Sequence, residues 1–71
     1  MEAFGSFYKN YKKPLFEYLM RVTGDYHLAS DIMQESFTRF LERYEQKVPN
    51  AALLYTIARN IFLDHFRRQG H

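Results

Sequence analysis

The sequence predicts an all-α fold, a compact bundle of three to four helices, and three observations support this prediction. Apolar residues recur every three to four positions along three separate stretches, which is the period of an amphipathic helix. No stretch shows the alternation of apolar and polar residues that is typical of a half-buried strand. Hydrophobic residues make up 46% of the 71 residues and aromatic residues 18%, so one small domain can bury a core although cysteine is absent.

The first helix is predicted over residues 3–22. Pro14 lies inside it and removes the hydrogen bond to the carbonyl of Asn10, so we expect a kink near Pro14 or a short helix followed by a second one. Gly24 suits the left-handed position after the helix, and Asp25 suits the N-cap of the next helix. The apolar stripe of the first helix comprises Phe4, Phe7, Tyr8, Tyr11, Leu15, Tyr18, Leu19 and Val22.

The second helix is predicted over residues 26–44 and the third over residues 51–68, with a connecting loop over residues 45–50. The loop has no periodicity and contains a proline, Asn50 can cap the third helix, and Gly70 marks its end. The buried face of the second helix is expected to hold Leu28, Ala29, Ile32, Met33, Ser36, Phe37, Phe40 and Tyr44. The buried face of the third is expected to hold Leu54, Ile57, Ala58, Ile61 and either His65 or Phe66.

Charge is distributed unevenly along the chain, whose formal net charge is +2. Residues 1–24 have four basic and two acidic side chains, residues 25–50 three basic and five acidic, and residues 51–71 three basic and one acidic. This pattern is compatible with two partners of opposite charge preference, but charge alone favours the alternative, a solvated mixture of charges on three helices. No apolar run reaches the roughly 20 residues of a membrane span and no signal peptide is recognisable, so a soluble cytoplasmic protein is expected.

An enzyme is disfavoured, because the titratable residues form no known catalytic or metal-binding pattern. His27, His65 and His71 are isolated in the sequence, and there is no Gly-rich phosphate-binding loop. Asp31 and Glu35 form an i, i+4 pair of carboxylates, but they lie opposite the apolar face and lack inward-facing ligands from other helices. We therefore expect no catalytic residue, no metal and no cofactor, and we interpret His65 as a half-buried structural residue.

A polar stripe on the second helix is the clearest indication of function. Its four residues fall on one side of a helix, opposite the apolar face, so the two faces can have separate roles. One face builds the core, and the other is predicted to contact another protein. The polar stripe consists of Asp31, Gln34, Glu35 and Thr38.

The third helix combines arginine, asparagine and aromatic residues on the side away from the core, which suits nucleic acid. Arginine neutralises phosphate, asparagine can form two hydrogen bonds with a base edge, and exposed aromatic rings stack on unpaired bases. The alternative is that the aromatic residues Tyr55, Phe62 and Phe66 belong to the core, and that Arg67 and Arg68 only complement the negative end of the helix dipole. The residues assigned to the outer side are Tyr55, Thr56, Arg59, Asn60, Leu63 and Arg67.

Two segments of the chain resemble domain 2 of bacterial sigma factors, most closely that of the extracytoplasmic-function (ECF) group. Residues 28–37, LASDIMQESF, are similar to the pattern A-x-D-x-x-Q-x-x-F of that group. Residues 54–68, LYTIARNIFLDHFRR, are similar to its pattern W-L-x-x-I-A-R-N-x-x-x-D-x-x-R-R, with Leu53 where tryptophan is usual. Ser30 stands where an acidic residue is common. The aromatic first helix with its internal proline extends the resemblance over essentially the whole chain.

The resemblance implies that the polar stripe binds the coiled-coil clamp helices of the β′ subunit of core RNA polymerase. A regulator that masks the stripe, such as an anti-sigma factor, is a further expected partner. Sigma factors of this group read the minus-thirty-five element with a helix-turn-helix domain that this sequence does not contain. The chain is therefore expected to be either an excised domain or a short factor.

The resemblance also implies that the last helix and the loop before it recognise the minus-ten element of the promoter. There the DNA is unpaired, and a base of the non-template strand is flipped into a pocket whose contacts offset the cost of unstacking. No bond is made or broken in this step. The alternative function is a small helical protein-interaction domain without a direct DNA role. The DNA-binding residues expected from the resemblance are Tyr44, Lys47, Asn50, Tyr55, Arg59, Asn60 and Arg67.

Overall fold

Three α-helices make up the part of the chain that the computed structural model describes, residues 2–44 and 50–69. They are α1 (Glu2–Thr23), α2 (Tyr26–Tyr44) and α3 (Ala51–Gln69). No strand occurs within these ranges, and the all-α prediction is confirmed. Of the predicted loop only Asn50 is described, and Gly70 also lies outside the described residues.

The first helix runs through Pro14 without interruption, so the alternative of two shorter helices is wrong. The end of α1 and the start of α2 are fixed by the predicted turn residues. Gly24 has a φ of +66°, and its N–H donates to the carbonyl of Met20 over 2.8 Å, which closes α1. The carboxylate of Asp25 then accepts a hydrogen bond from the N–H of Leu28 over 3.1 Å and caps α2.

Helix α2 is the central helix of the bundle, because α1 and α3 both pack against it. Phe40 of α2 is 1% exposed, and its ring stacks on that of Phe7 in α1 with the centroids 5.0 Å apart. Ser36 is fully buried, and its hydroxyl donates to the carbonyl of Ile32 over 2.6 Å, so the polar group is satisfied within its own helix. The buried apolar residues are Phe7, Leu15, Leu19, Ala29, Ile32, Met33, Phe37, Phe40, Leu54, Ile57, Ala58 and Ile61.

Two residues assigned to the core from the sequence are exposed. Val22, placed on the apolar stripe of α1, is 40% exposed, because it lies in the last turn, where a side chain has fewer neighbours than in the middle of a helix. Phe66, one of two alternatives for the inner side of α3, is 64% exposed. Phe66 follows Ile61 by five positions and therefore lies outside the buried face of the helix. His65 follows Ile61 by four positions and is half-buried.

Candidate protein-binding and nucleic-acid-binding surfaces

The polar stripe lies on the exposed side of α2, as its spacing indicates. All four of its residues are exposed, while the neighbouring positions Ile32, Met33 and Phe37 are buried. The hydroxyl of Thr38 donates to the carbonyl of Gln34 over 3.0 Å, which turns that side chain back onto the helix. Within the described ranges, Asp31 has no ion-pair partner. The stripe therefore presents one unpaired carboxylate and one free amide to solvent.

Glu35 differs from Asp31 because Arg39, one turn later on α2, donates a hydrogen bond to its carboxylate. This pair borders a small cavity of about 100 Å³ between α2 and α3. A second pair, Asp64 and Arg68 of α3 with 2.9 Å between oxygen and nitrogen, borders the same cavity together with the half-buried His65. Glu35 thus lies at the α3 edge of the polar stripe, and its charge is already balanced.

A groove along the seam between α1 and α2 borders the other edge of the polar stripe. It consists of two open depressions of about 320 and 350 Å³, and Tyr8 and Gln34 line both of them. The ammonium of Lys12 lies 5.5 Å from the centre of the Tyr8 ring. Sequence reasoning assigned Phe4 and Tyr8 to the apolar stripe of α1 and missed this groove, because periodicity does not separate fully buried from half-buried rings. The remaining lining residues are Phe4, Phe16, Tyr26, Ser30, Met33, Phe37, Thr38 and Leu41.

The outer side of α3 has the predicted polar residues on its surface. Arg59, Asn60 and Arg67 are exposed, as is Thr56, whose hydroxyl donates to the carbonyl of Ala52 over 2.9 Å. This side therefore carries two guanidinium groups and one amide that are available to a ligand.

Tyr55 is half-buried and does not point freely outward. Its ring contacts that of Tyr18 in α1 with 5.4 Å between centroids at an angle of 72°. Burial raises the pKa of the Tyr55 hydroxyl above its ordinary value, and Tyr11 adds to the rise while Arg21 opposes it. The sequence alternative that placed the aromatic residues of α3 in the core therefore fits Tyr55 and Phe62, which pack against the core from partly exposed positions.

Of the loop residues predicted to contact DNA, the described part of the chain includes Asn50. Its side-chain oxygen accepts hydrogen bonds from the N–H groups of Ala52 (2.9 Å) and Leu53 (3.4 Å), so this oxygen caps α3 and only the amide N–H groups remain available. Lys47 and the side chain of Tyr44 lie outside the described residues.

Neither a metal site nor a membrane-spanning helix is found in the described ranges. No group of three or more histidine, cysteine, aspartate or glutamate residues there could hold a metal ion. None of the described helices is sufficiently long and apolar to cross a membrane. What the fold and its surfaces define is a small all-α domain with charged and amide side chains on two exposed helix faces.

The chain belongs to the Sigma-70 region 2 family, whose family model matches residues 7–71. It is 33% identical over 64 residues to the ECF RNA polymerase sigma factor SigM of Bacillus subtilis. The matched region covers 86% of this chain and 39% of SigM. It is 36% identical over 70 residues to the ECF RNA polymerase sigma factor BldN of Streptomyces coelicolor, covering 93% of this chain and 26% of BldN.

A third relative, the ECF RNA polymerase sigma factor SigX of Bacillus subtilis, is 31% identical over 71 residues, covering 96% of this chain and 37% of SigX. The chain thus spans between about a quarter and two fifths of the length of these relatives. No solved structure matches the chain significantly.

Proposed function

We propose that the chain acts as domain 2 of an ECF sigma factor, which binds core RNA polymerase and helps to recognise and melt the minus-ten element in transcription initiation. The proposal rests on the agreement between the family match and the arrangement of buried and exposed side chains on α2. The chain belongs to the Sigma-70 region 2 family, and its A-x-D-x-x-Q-x-x-F segment buries its apolar residues while Asp31, Gln34 and Glu35 are exposed. Its role is binding, and it acts where polymerase acts, in the cytoplasm.

The polar stripe is the proposed contact for the β′ clamp helices. Carboxylate and amide side chains suit a basic, polar partner, because both surfaces must remain soluble before they meet. The exposed carboxylate of Asp31 and the exposed amide of Gln34 are the groups offered to that partner. An anti-sigma factor that covers the same stripe would compete directly with polymerase.

Purified core polymerase provides the test. The double variant Asp31→Ala/Gln34→Ala should bind core polymerase at least about tenfold more weakly than the wild type, since each truncation removes a central polar contact. The matched control is Asn10→Ala/Glu17→Ala, which also removes one exposed amide and one exposed carboxylate, but from α1. Equal affinities of the stripe variant and the control would refute the assignment.

The outer side of α3 is the proposed contact for the non-template strand of the minus-ten element. Arg59, Asn60 and Arg67 are exposed there and supply cationic and amide groups for phosphate and base edges. The competing function, a protein-interaction domain without a DNA role, predicts that core polymerase does not retain the chain in a pull-down and that substitutions on α3 leave DNA binding unchanged.

A further inference from the structure

Two ion pairs, one on α2 and one on α3, border the same small cavity at the seam between these helices. Glu35 and Arg39 line it from α2, and Asp64 and Arg68 line it from α3. The cavity has a volume of about 100 Å³, which is room for only a few water molecules, so the four charged groups lie near one another. Each arginine is paired within its own helix, with the carboxylate one turn before it, and neither pair joins the two helices.

These pairs can exchange partners at little cost. Their side chains are between 45% and 78% exposed, so solvent screens both interactions. Arg39 has a flexible stem and keeps its charge in any surroundings. When a cation of a binding partner takes the carboxylate of Glu35, the guanidinium of Arg39 has to leave it. The carboxylate of Asp64 borders the same cavity and is the acceptor that α3 offers to Arg39 there.

We propose that Asp64 is a positioning residue for polymerase binding, because it accepts Arg39 when a cation of the β′ clamp helices binds Glu35. Arg39 then forms a pair between α2 and α3 instead of a pair within α2. A carboxylate has several acceptor sites, so Asp64 can accept Arg39 without losing Arg68. The exchange lowers the cost of displacing Arg39, since its guanidinium gains a second partner as it loses the first. This inference rests on the proposed function, because it requires a polymerase cation at the polar stripe.

The alternative is a role of Asp64 that is confined to α3. Asp64 precedes Arg68 by four positions, and such a pair stabilises the helix that contains it. Loss of this pair would change the thermal stability of the chain, but the effect of Asp64 on polymerase affinity would not depend on Arg39. The two roles therefore differ in whether Asp64 and Arg39 are coupled in the complex.

A double-mutant cycle of Asp64→Asn and Arg39→Gln measures this coupling. The wild type, the two single variants and the double variant are labelled and titrated with core polymerase at about 50 mM salt, where charges are weakly screened. Both side chains are about half exposed, so the variants should fold like the wild type. Asp64→Asn should weaken polymerase binding about two- to threefold in the wild-type background and should have no effect in the Arg39→Gln background.

Two further variants and a second measurement serve as controls. Asp64→Glu keeps the carboxylate and should bind polymerase like the wild type. Glu17→Gln removes an exposed carboxylate from α1, away from the cavity, so its effect on polymerase affinity should be the same with and without Arg39→Gln. The melting temperatures of the free chains should show no coupling between Asp64 and Arg39, because Arg39 is paired with Glu35 before polymerase binds.

Equal losses of polymerase affinity for Asp64→Asn in the two backgrounds would overturn the inference, because Asp64 would then act without Arg39. Unchanged affinity of Asp64→Asn in the wild-type background would overturn it as well. The Asp31→Ala/Gln34→Ala variant tests the proposed function separately. If that variant binds polymerase more weakly but Asp64 and Arg39 are not coupled, only the exchange is wrong. If it binds like the wild type, the polymerase contact and the exchange are both wrong.

Discussion

Arg39 donates a hydrogen bond to the carboxylate of Glu35, whereas Asp31, one turn earlier on the same helix, has no charged partner among the described residues. A cation of the proposed polymerase partner therefore meets an unpaired charge at Asp31 but must displace Arg39 at Glu35. Both side chains of the existing pair are about half exposed (45% and 47%), so solvent screens the pair and its displacement costs little. The two carboxylates should nevertheless contribute unequally to binding.

We expect Asp31→Asn to weaken binding to core polymerase about tenfold and Glu35→Gln only about two- to threefold. Both substitutions keep the shape of the side chain and remove the charge. The measurement is a titration of labelled chain with core polymerase at one fixed salt concentration. Arg39→Gln serves as the internal check, because it releases Glu35, so that Glu35→Gln should cost more affinity in the Arg39→Gln background than in the wild type. A larger loss for Glu35→Gln than for Asp31→Asn in the wild-type background would contradict the argument.

The burial of side chains on α2 and α3 predicts which apolar residues stabilise the fold. Phe37 and Ile57 are 4% and 5% exposed, so replacing either with alanine should lower the free energy of unfolding by roughly 2 to 5 kcal/mol. Phe66 is 64% exposed, and Phe66→Ala should change the free energy of unfolding by no more than about 0.5 kcal/mol. Urea denaturation followed by circular dichroism measures all three. Unchanged midpoints in the first two variants would mean that the helix faces are assigned wrongly.

The faces of α2 could be predicted from the sequence because their pattern is unambiguous. Apolar residues recur there every three to four positions, as a helix requires. None of the four residues of the polar stripe is aromatic, so none could be assigned equally well to the buried face. The turn at Gly24 and the cap at Asp25 could also be predicted from the sequence, since few residue types suit those backbone conformations.

The faces of α3 were harder to predict, because apolar residues surround most of that helix. Tyr55 was assigned to the outer side and Phe66 was one alternative for the inner side, yet Tyr55 is half-buried and Phe66 exposed. Periodicity along one helix cannot show that Tyr18 of another helix covers Tyr55. The groove between α1 and α2 was missed for the same reason, since it depends on how two helices meet.

The burial of Tyr55 predicts a loss of stability at high pH. Its pKa is raised above 10.0 in the folded chain, so above about pH 10 the unfolded chain releases this proton while the folded chain still holds it. Unfolding is then favoured by deprotonation, and the free energy of unfolding falls as the pH rises. Below about pH 10 this contribution is fully present.

Comparison with Tyr55→Phe isolates the contribution of the Tyr55 hydroxyl from that of the rest of the chain. The stability of the wild type relative to Tyr55→Phe should decrease between about pH 9 and 11, as measured by urea denaturation at each pH. Tyr26→Phe is the control, because it also removes one tyrosine hydroxyl, but from a side chain that is 64% exposed. A pH-independent difference between wild type and Tyr55→Phe would show that burial of Tyr55 does not affect its titration.

Asn60 and Arg67 share the outer side of α3 but should affect DNA binding in different ways. Asn60 has a short planar amide, and the neighbouring polar groups that could hold it are engaged elsewhere: Thr56 bonds to the carbonyl of Ala52 and Asp64 pairs with Arg68. The Asn60 amide is thus available to a base edge, and Asn60→Ala should reduce discrimination between a cognate and a scrambled minus-ten strand. Arg67 is longer and charged and should meet phosphate.

Arg67→Ala should therefore weaken binding to both strands about equally and reduce the salt slope by about 0.7, as expected for one contact to a single strand. Asn60→Ala should leave the slope unchanged, because an amide releases no counterion. Anisotropy titrations of the polymerase-bound chain with both oligonucleotides at several salt concentrations measure affinity, discrimination and slope together. Equal weakening of both strands by Asn60→Ala would assign that residue a structural role on α3, and a sequence-dependent effect of Arg67→Ala would make Arg67 the base-reading residue instead.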